Sequence, residues 1–217
     1  NPITGASGMG QVGLEWQIAG FGDFSTNANE TDMLLRNSNN GAFEIYDIGN
    51  NQITRAAGMG QVGLEWQIAG FGDFSSNANE TDMLLRNGNT GAFELYDINN
   101  NQITRAAGMG QVGLEWQVAG FGDFSGNANE TDMLLRNSNS GAFEIYDISH
   151  NQITLASGMG QVGMEWSIAG SQLTQAMAGF APASSMSATA PAFDETAEQG
   201  ANSALSVPTN SQMHPIA

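Results

Sequence analysis

The chain has 217 residues, 41% of them hydrophobic, which suits one sizeable core or a short array of repeats and excludes a wholly disordered chain. Twenty-two acidic residues against five basic ones, all arginine, leave a net charge of −17; this excludes nucleic acid and anionic membranes as partners and makes a divalent cation the natural ligand to look for. Cysteine is absent, so disulfides and thiolate metal sites are excluded, and no apolar run approaches the roughly 18 residues of a membrane-spanning helix.

In chain order, the sequence opens at Asn1-Pro2 without Met or a signal-peptide pattern, and reads as a fragment or processed product. "NPITGAS" at 1–7 matches the end of a later unit, "NQITRAA", and is expected to form a lone outermost strand. At Gly8 begins "GMGQVGLEWQIAGFGDFS", whose counterparts begin at Gly58, Gly108 and Gly158, a period of 50. Three full units follow, 8–57, 58–107 and 108–157. The first two differ only at Thr26/Ser76, Ser38/Gly88, Asn40/Thr90, Ile45/Leu95 and Gly49/Asn99. A partial copy at 158–170, "GMGQVGMEWSIAG", is expected to add one innermost strand.

Each unit predicts four short strands. "LEWQIAGF" at 14–21 places Leu14, Trp16 and Ile18 on one face by period 2. An Asn-rich loop leads to "TDMLLRN" at 31–37, and "SNNG" then reads as a hairpin turn, since Asn and Gly tolerate positive φ. In "AFEIYDI" at 42–48, Phe43 and Ile45 face one way while Tyr46 and Ile48 face the other. "GNNQ" turns the chain into "ITRAA" at 53–57. Apolar residues on both faces suit small sheets stacked on one another. The expected domain at 1–170 is therefore all-β, built of tandem four-stranded antiparallel units as propeller-like blades. A β-trefoil or a β-prism is the alternative architecture for three four-stranded units. With three complete units, a ring closes only if chains combine; otherwise the array stays open.

"W-x-I-A-G-F-G-D-F", its Asp/Asn loop, "D-M-L-L-R-N" and "G-x-F-E-I-Y-D" together resemble the FG-GAP/VCBS-type repeat of integrin-like β-propellers, in the tandem form of large bacterial secreted proteins. The resemblance covers roughly 1–170. It implies a four-stranded blade per repeat, often with Ca2+ in the loop between the first two strands. The family loop is D-x-[DN]-x-D-G-x-x-D. Matching it position by position, the candidate ligands are Asp23, Ser25, Asn27, Asn29 and Asp32; Asp73, Ser75, Asn77, Asn79 and Asp82; and Asp123, Ser125, Asn127, Asn129 and Asp132. Ser and Asn replace two carboxylates, Ala28 replaces the turn glycine and the loop is one residue longer, so affinity should be reduced, with Glu30 available as a third carboxylate. Asp and Asn that cap the turn through hydrogen bonds to the backbone explain the same pattern without an ion.

No catalytic residues are assigned. Glu15, Glu44 and Asp47 recur in every unit, but near-identical repeats give a carboxylate pair no means of separating its pKa values, and His150 and His214 have no repeated partners. Trp16, Trp66, Trp116 and Trp166 are expected as core between units, and Arg36, Arg86 and Arg136 as surface partners of nearby acids. The segment 171–217 shifts to Ala, Ser, Thr, Pro and Gln. "LTQAMAGF" has the spacing of two amphipathic helical turns; the remainder reads as a disordered, acidic tail resembling the secretion signals of type I exporters. The functional expectation is a non-enzymatic secreted or cell-surface scaffold or adhesion module that self-associates through its terminal strands. The alternative is a carbohydrate-binding lectin with a glycan partner, using aromatics such as Phe24 or Tyr46.

Overall fold

The computed structural model describes residues 5–25, 27, 30–77, 80–128 and 130–168. They belong to the first of two units into which the chain divides, the second being Gln175–Ile216. The tail and its expected helical turns lie outside the described residues.

The protein is all-β, with no helix among the described residues. β1 (Trp16–Gly22), β2 (Asp32–Asn37), β3 (Ala42–Gly49) and β4 (Gln52–Gln61) form the first sheet. β5 (Trp66–Gly72), β6 (Asp82–Asn87), β7 (Ala92–Asn99) and β8 (Gln102–Gln111) form the second. β9 (Trp116–Gly122), β10 (Asp132–Asn137), β11 (Ala142–Ser149) and β12 (Gln152–Gln161) form the third. Each is an antiparallel meander in which consecutive strands pair, as short connections dictate. At the β3–β4 hairpin, Asn50 and Asn51 both take positive φ (53° and 62°), the backbone of a two-residue type I′ turn, and the later copies repeat it.

Two local features depart from the sequence reading. The fourth strand runs on through the "GMG" of the next repeat, because β3 is long enough to pair Ala42 with Gln61. The pairing slips between Phe43 and Glu44, which leaves Met59 as an extra residue beside Gly60, and Gly60 has a φ of +91°. The sheets thus span 16–61, 66–111 and 116–161, out of phase with the 8–57 frame, and Leu14 sits in the turn before β1 with its side chain exposed. The lone strands expected at either end do not form among residues 5–13 and 166–168, since each lacks the neighbour it would pair with.

A bulge organises the first strand. Ile18 pairs with Leu35 and Gly20 with Leu34, so Ala19 is an extra residue, and Phe21 lands opposite Met33. Trp16, Ile18 and Phe21 therefore share a face with Met33 and Leu35, which simple alternation would have denied to Phe21. We call this face the back. The front carries Leu34, Phe43, Ile45 and Met59, with Phe24 tucked beneath it.

The front of each sheet packs on the back of the next. Phe24, Leu34, Phe43, Ile45 and Met59 of the first sheet form one core with Met83, Leu85, Tyr96 and Ile98 of the second. Phe74, Leu84, Phe93, Leu95 and Met109 of the second form an equivalent core with Trp116, Val118, Met133, Leu135, Tyr146 and Ile148 of the third. The cores therefore lie between the repeats, and no unit encloses one of its own. The expected division of "AFEIYDI" into Phe43/Ile45 and Tyr46/Ile48 faces holds in this packing. The tryptophans follow it too: Trp116 is buried and Trp66 packs against the first core, while Trp166, beyond the last sheet, is 66% exposed.

Candidate functional site

The repeated loop between the first two strands of each sheet is the feature most suggestive of a site. Its conformation follows from one buried carboxylate. Asp32 begins β2, and its Oδ2 accepts hydrogen bonds from the backbone N–H groups of Phe24 (2.9 Å) and Ser25 (2.7 Å). Asp82 does the same for Phe74 and Ser75, and Asp132 for Phe124 and Ser125. Ser25 Oγ in turn accepts from the N–H of Asn27, and the Asn27 side-chain amide donates to Glu30. These are turn-capping bonds of the kind Asp, Ser and Asn supply where the backbone leaves regular structure. Their result is to fold Phe24 and Phe74 under their own sheets, fully buried.

The loop also ties its sheet to the next. The Phe71 ring lies over Gly20 so closely that a Cβ there would overlap it, and Phe121 lies over Gly70 in the same way. Each incoming ring meets the phenylalanine folded under the loop edge-on: Phe24 with Phe71 at 5.7 Å and Phe74 with Phe121 at 5.6 Å between centroids. Polar bonds flank the rings. The Asp23 N–H donates to Thr81 Oγ1 at 3.0 Å, and the Asn101 N–H donates to the carbonyl of Phe24 at 2.8 Å. The Asn101 side-chain amide donates to Asp47 Oδ1 at 2.5 Å, and Asn151 reaches both oxygens of Asp97 at 2.6 and 2.7 Å. "IAGFGDF" thus supplies a knob, a hole and a buried ring, and the hairpin asparagine of the following sheet locks them.

Electrostatics at this joint run against the acids. Burial, reinforced by nearby Asp97, pushes the Asp82 carboxyl up to about 6 despite the hydrogen bonds that favour its charge, and its Oδ1 has no hydrogen-bond partner. Burial likewise raises Asp73, Asp97 and Asp147. In the third sheet the corresponding oxygen, Asp132 Oδ1, accepts from the N–H of Ile148 at 3.3 Å.

The described part of the calcium ligand set is partly engaged within the protein, with Asp32, Asp73 and Asp82 Oδ1 left buried and without a hydrogen-bond partner. Asp32, Asp82 and Asp132 already hold two backbone N–H groups each, and Ser25, Ser75 and Ser125 cap the N–H two residues on. Among the described residues, no three acidic or histidine side chains converge as a metal would require. Asn29, Asn79 and Asn129 lie outside the described residues.

The other sequence candidates fall elsewhere. Phe24 and Phe74 are buried, as are Tyr96 and Tyr146, so these copies are core in the internal joints, whereas Tyr46 is half-buried on the back of the first sheet and Phe124 is exposed. Glu44 and Asp47, three residues apart on one strand, face opposite sides and cannot act as a pair. Arg36 corrects the expectation of acidic partners: its guanidinium lies 5.3 Å from the centre of the Phe43 ring and donates from Nη2 to the carbonyl of Gly63. Burial lowers its pKa and Glu65 opposes this by charge alone; Arg86 repeats the arrangement with Phe93, Gly113 and Glu115. The hairpin asparagines Asn101 and Asn151 were missed as joint residues. Their signal was the sequence "NNQ" or "HNQ" in every unit, beyond what turn formation alone demands.

No protein-family model, no curated protein and no solved structure matches this chain.

Proposed function

We propose that the chain is a non-enzymatic repeat scaffold, a secreted or cell-surface adhesion module of the FG-GAP/VCBS type. One observation carries this reading: the residues that recur in every unit and look chemical (Asp32, Asn101, Asp47, Thr81 and Arg36) are bonded within a sheet or across the joint to the next one. A chain whose repeated polar groups hold one unit to another is organised for length and stiffness, as solenoids and propellers are. Its acidic surface agrees with a place outside the cell. Surface labelling and fractionation of the producing cells test this: the protein is expected on intact cells or in the medium, and recovery only from the cytoplasm would refute it.

Calcium is separable from that reading. With the loop carboxylate already engaged by backbone donors, the melting temperature is expected to stay unchanged between millimolar Ca2+ and excess chelator. A rise of several degrees with calcium would reassign the loop as a metal site, because a ligand that binds only the folded state must stabilise it.

A further inference from the structure

Among the described residues, the stack ends in two unlike faces. The front of the third sheet carries the residues that are buried in both earlier copies. Phe124 is 47% exposed where Phe24 and Phe74 are at 0%, and Met159 is 57% exposed where Met59 and Met109 are at 9% and 6%. The hole is open as well: a Cβ on Gly120 would meet nothing within 4 Å, whereas on Gly20 or Gly70 it would overlap the next sheet's phenylalanine. At the other end, the back of the first sheet presents the knob, Phe21, 56% exposed, beside Ile18 at 60%, where its equivalent Val118 is at 7%. The polar ties are also divided between the ends. Asn51 is exposed at its hairpin with the same positive φ as Asn101 and Asn151, while Asp147, the counterpart of Asp47 and Asp97, is only half-buried at the far end.

We propose that the front of the third sheet docks β1 and the β3–β4 hairpin at the back of the first sheet of a second copy of this chain, head to tail, with the contacts these two elements make in the internal joints. Phe21 of the second copy enters over Gly120 and meets Phe124 edge-on, and its Asn51 donates to Asp147. Continuity with the internal joints selects this occupant. Each internal joint mates a front to a back, so like faces do not match, and the residues on the two open faces are nearly those that mate inside. The first sheet's back is not open throughout, since Met33 and Leu35 in its middle strand are buried in the single chain; first contact falls on β1 and the β3–β4 hairpin. A head-to-tail contact of this kind closes a ring if the rotation per sheet allows and otherwise grows as an open filament. The charge of −17 on every copy opposes it, so salt should promote it.

Sedimentation of the full chain across a concentration series, at low salt and at about 1 M salt where the screening length is ~3 Å, is the test. Reversible association that strengthens with salt is expected. Gly120→Leu fills the hole and Phe21→Asp removes the knob, and each change lies on a surface that is open in the single chain. Either variant alone is expected to stay monomeric, with affinity down about tenfold or more. Mixed, they should form a one-to-one pair and nothing larger, since each supplies the face the other lacks. Circular dichroism and melting, unchanged from the parent, certify that both variants fold. A parent chain that stays monomeric at high concentration and high salt overturns the proposal. So does a single variant that still associates, which would mean pairing through strand edges or like faces, or a mixture that yields no pair.

Discussion

Phe74 and Phe124 occupy the same place in nearly the same fifty residues, yet one is wholly buried and the other is 47% exposed. Their own loops are alike: Asp82 and Asp132 cap them with the same pair of backbone hydrogen bonds. Only the neighbour differs, because Phe74 has the third sheet in front of it and Phe124 has no sheet in front of it among the described residues. A unit of this protein therefore folds its strands from its own sequence but obtains its core from the next unit, as nearest-neighbour models of repeat proteins describe. The sharpest way to break that comparison is to truncate both rings. Phe74→Ala is expected to cost about 3–5 kcal/mol, the range for emptying a buried aromatic site, and Phe124→Ala less than about 1 kcal/mol. Denaturant unfolding of the two variants measures the difference; equal losses would mean that each sheet carries its own core.

The acids offer a comparison of a different kind, between the folded joint and the unfolded chain. Asp82 titrates near 6 in the fold against 3.8 without it, so folding favours its neutral form. The stabilisation this brings is complete below the unfolded value and disappears as pH rises through about 6. Asp73, Asp97 and Asp147 shift in the same direction, and neutralising a chain of charge −17 relieves its self-repulsion as well. The protein is thus expected to melt at a higher temperature near pH 5 than near pH 7.5. Asp82→Asn, whose amide oxygen can still accept from Phe74 and Ser75, should flatten that dependence. A melting temperature that falls on acidification would reverse the sign of the whole account.

Much of the sheet was legible in the sequence because its signals are local. Period-2 patterning marked "AFEIYDI", the turn residues marked the hairpins, and the 50-residue recurrence marked three equal sheets. The bulge at Ala19 was not legible: nothing in "WQIAGF" distinguishes an even strand from one that doubles a residue opposite Leu34 and Leu35. The phase of the unit was missed for a related reason, since "GMG" reads as a break until the length of β3 shows that it has a partner. The loop was readable as an acidic, Asn-rich turn, and capping or calcium both fitted its composition. What divides them is where the Asp32 carboxylate points, and Asp132 makes the same two backbone bonds where, among the described residues, no ring from a further sheet meets the loop, so that orientation is set within the loop.

The smallest effect is the most specific. Asn51 and Asn101 hold the same place in their hairpins, with φ of 62° at both, but among the described residues only Asn101 has a sheet before it. Its side-chain amide donates to Asp47, which the joint buries, whereas Asn51 is exposed at the open end. Substituting glycine at either position keeps the positive φ free of strain and leaves the backbone N–H in place, so that the bond from Asn101 to the Phe24 carbonyl is untouched. What remains is the side chain alone. Asn101→Gly should destabilise by about 1–3 kcal/mol, the loss of a hydrogen bond to a buried carboxylate, and Asn51→Gly by almost nothing. The second value carries a further use. If copies dock head to tail, Asn51→Gly should be silent in dilute solution and become destabilising at concentrations where copies associate, since only there does Asn51 acquire an Asp147 to bind.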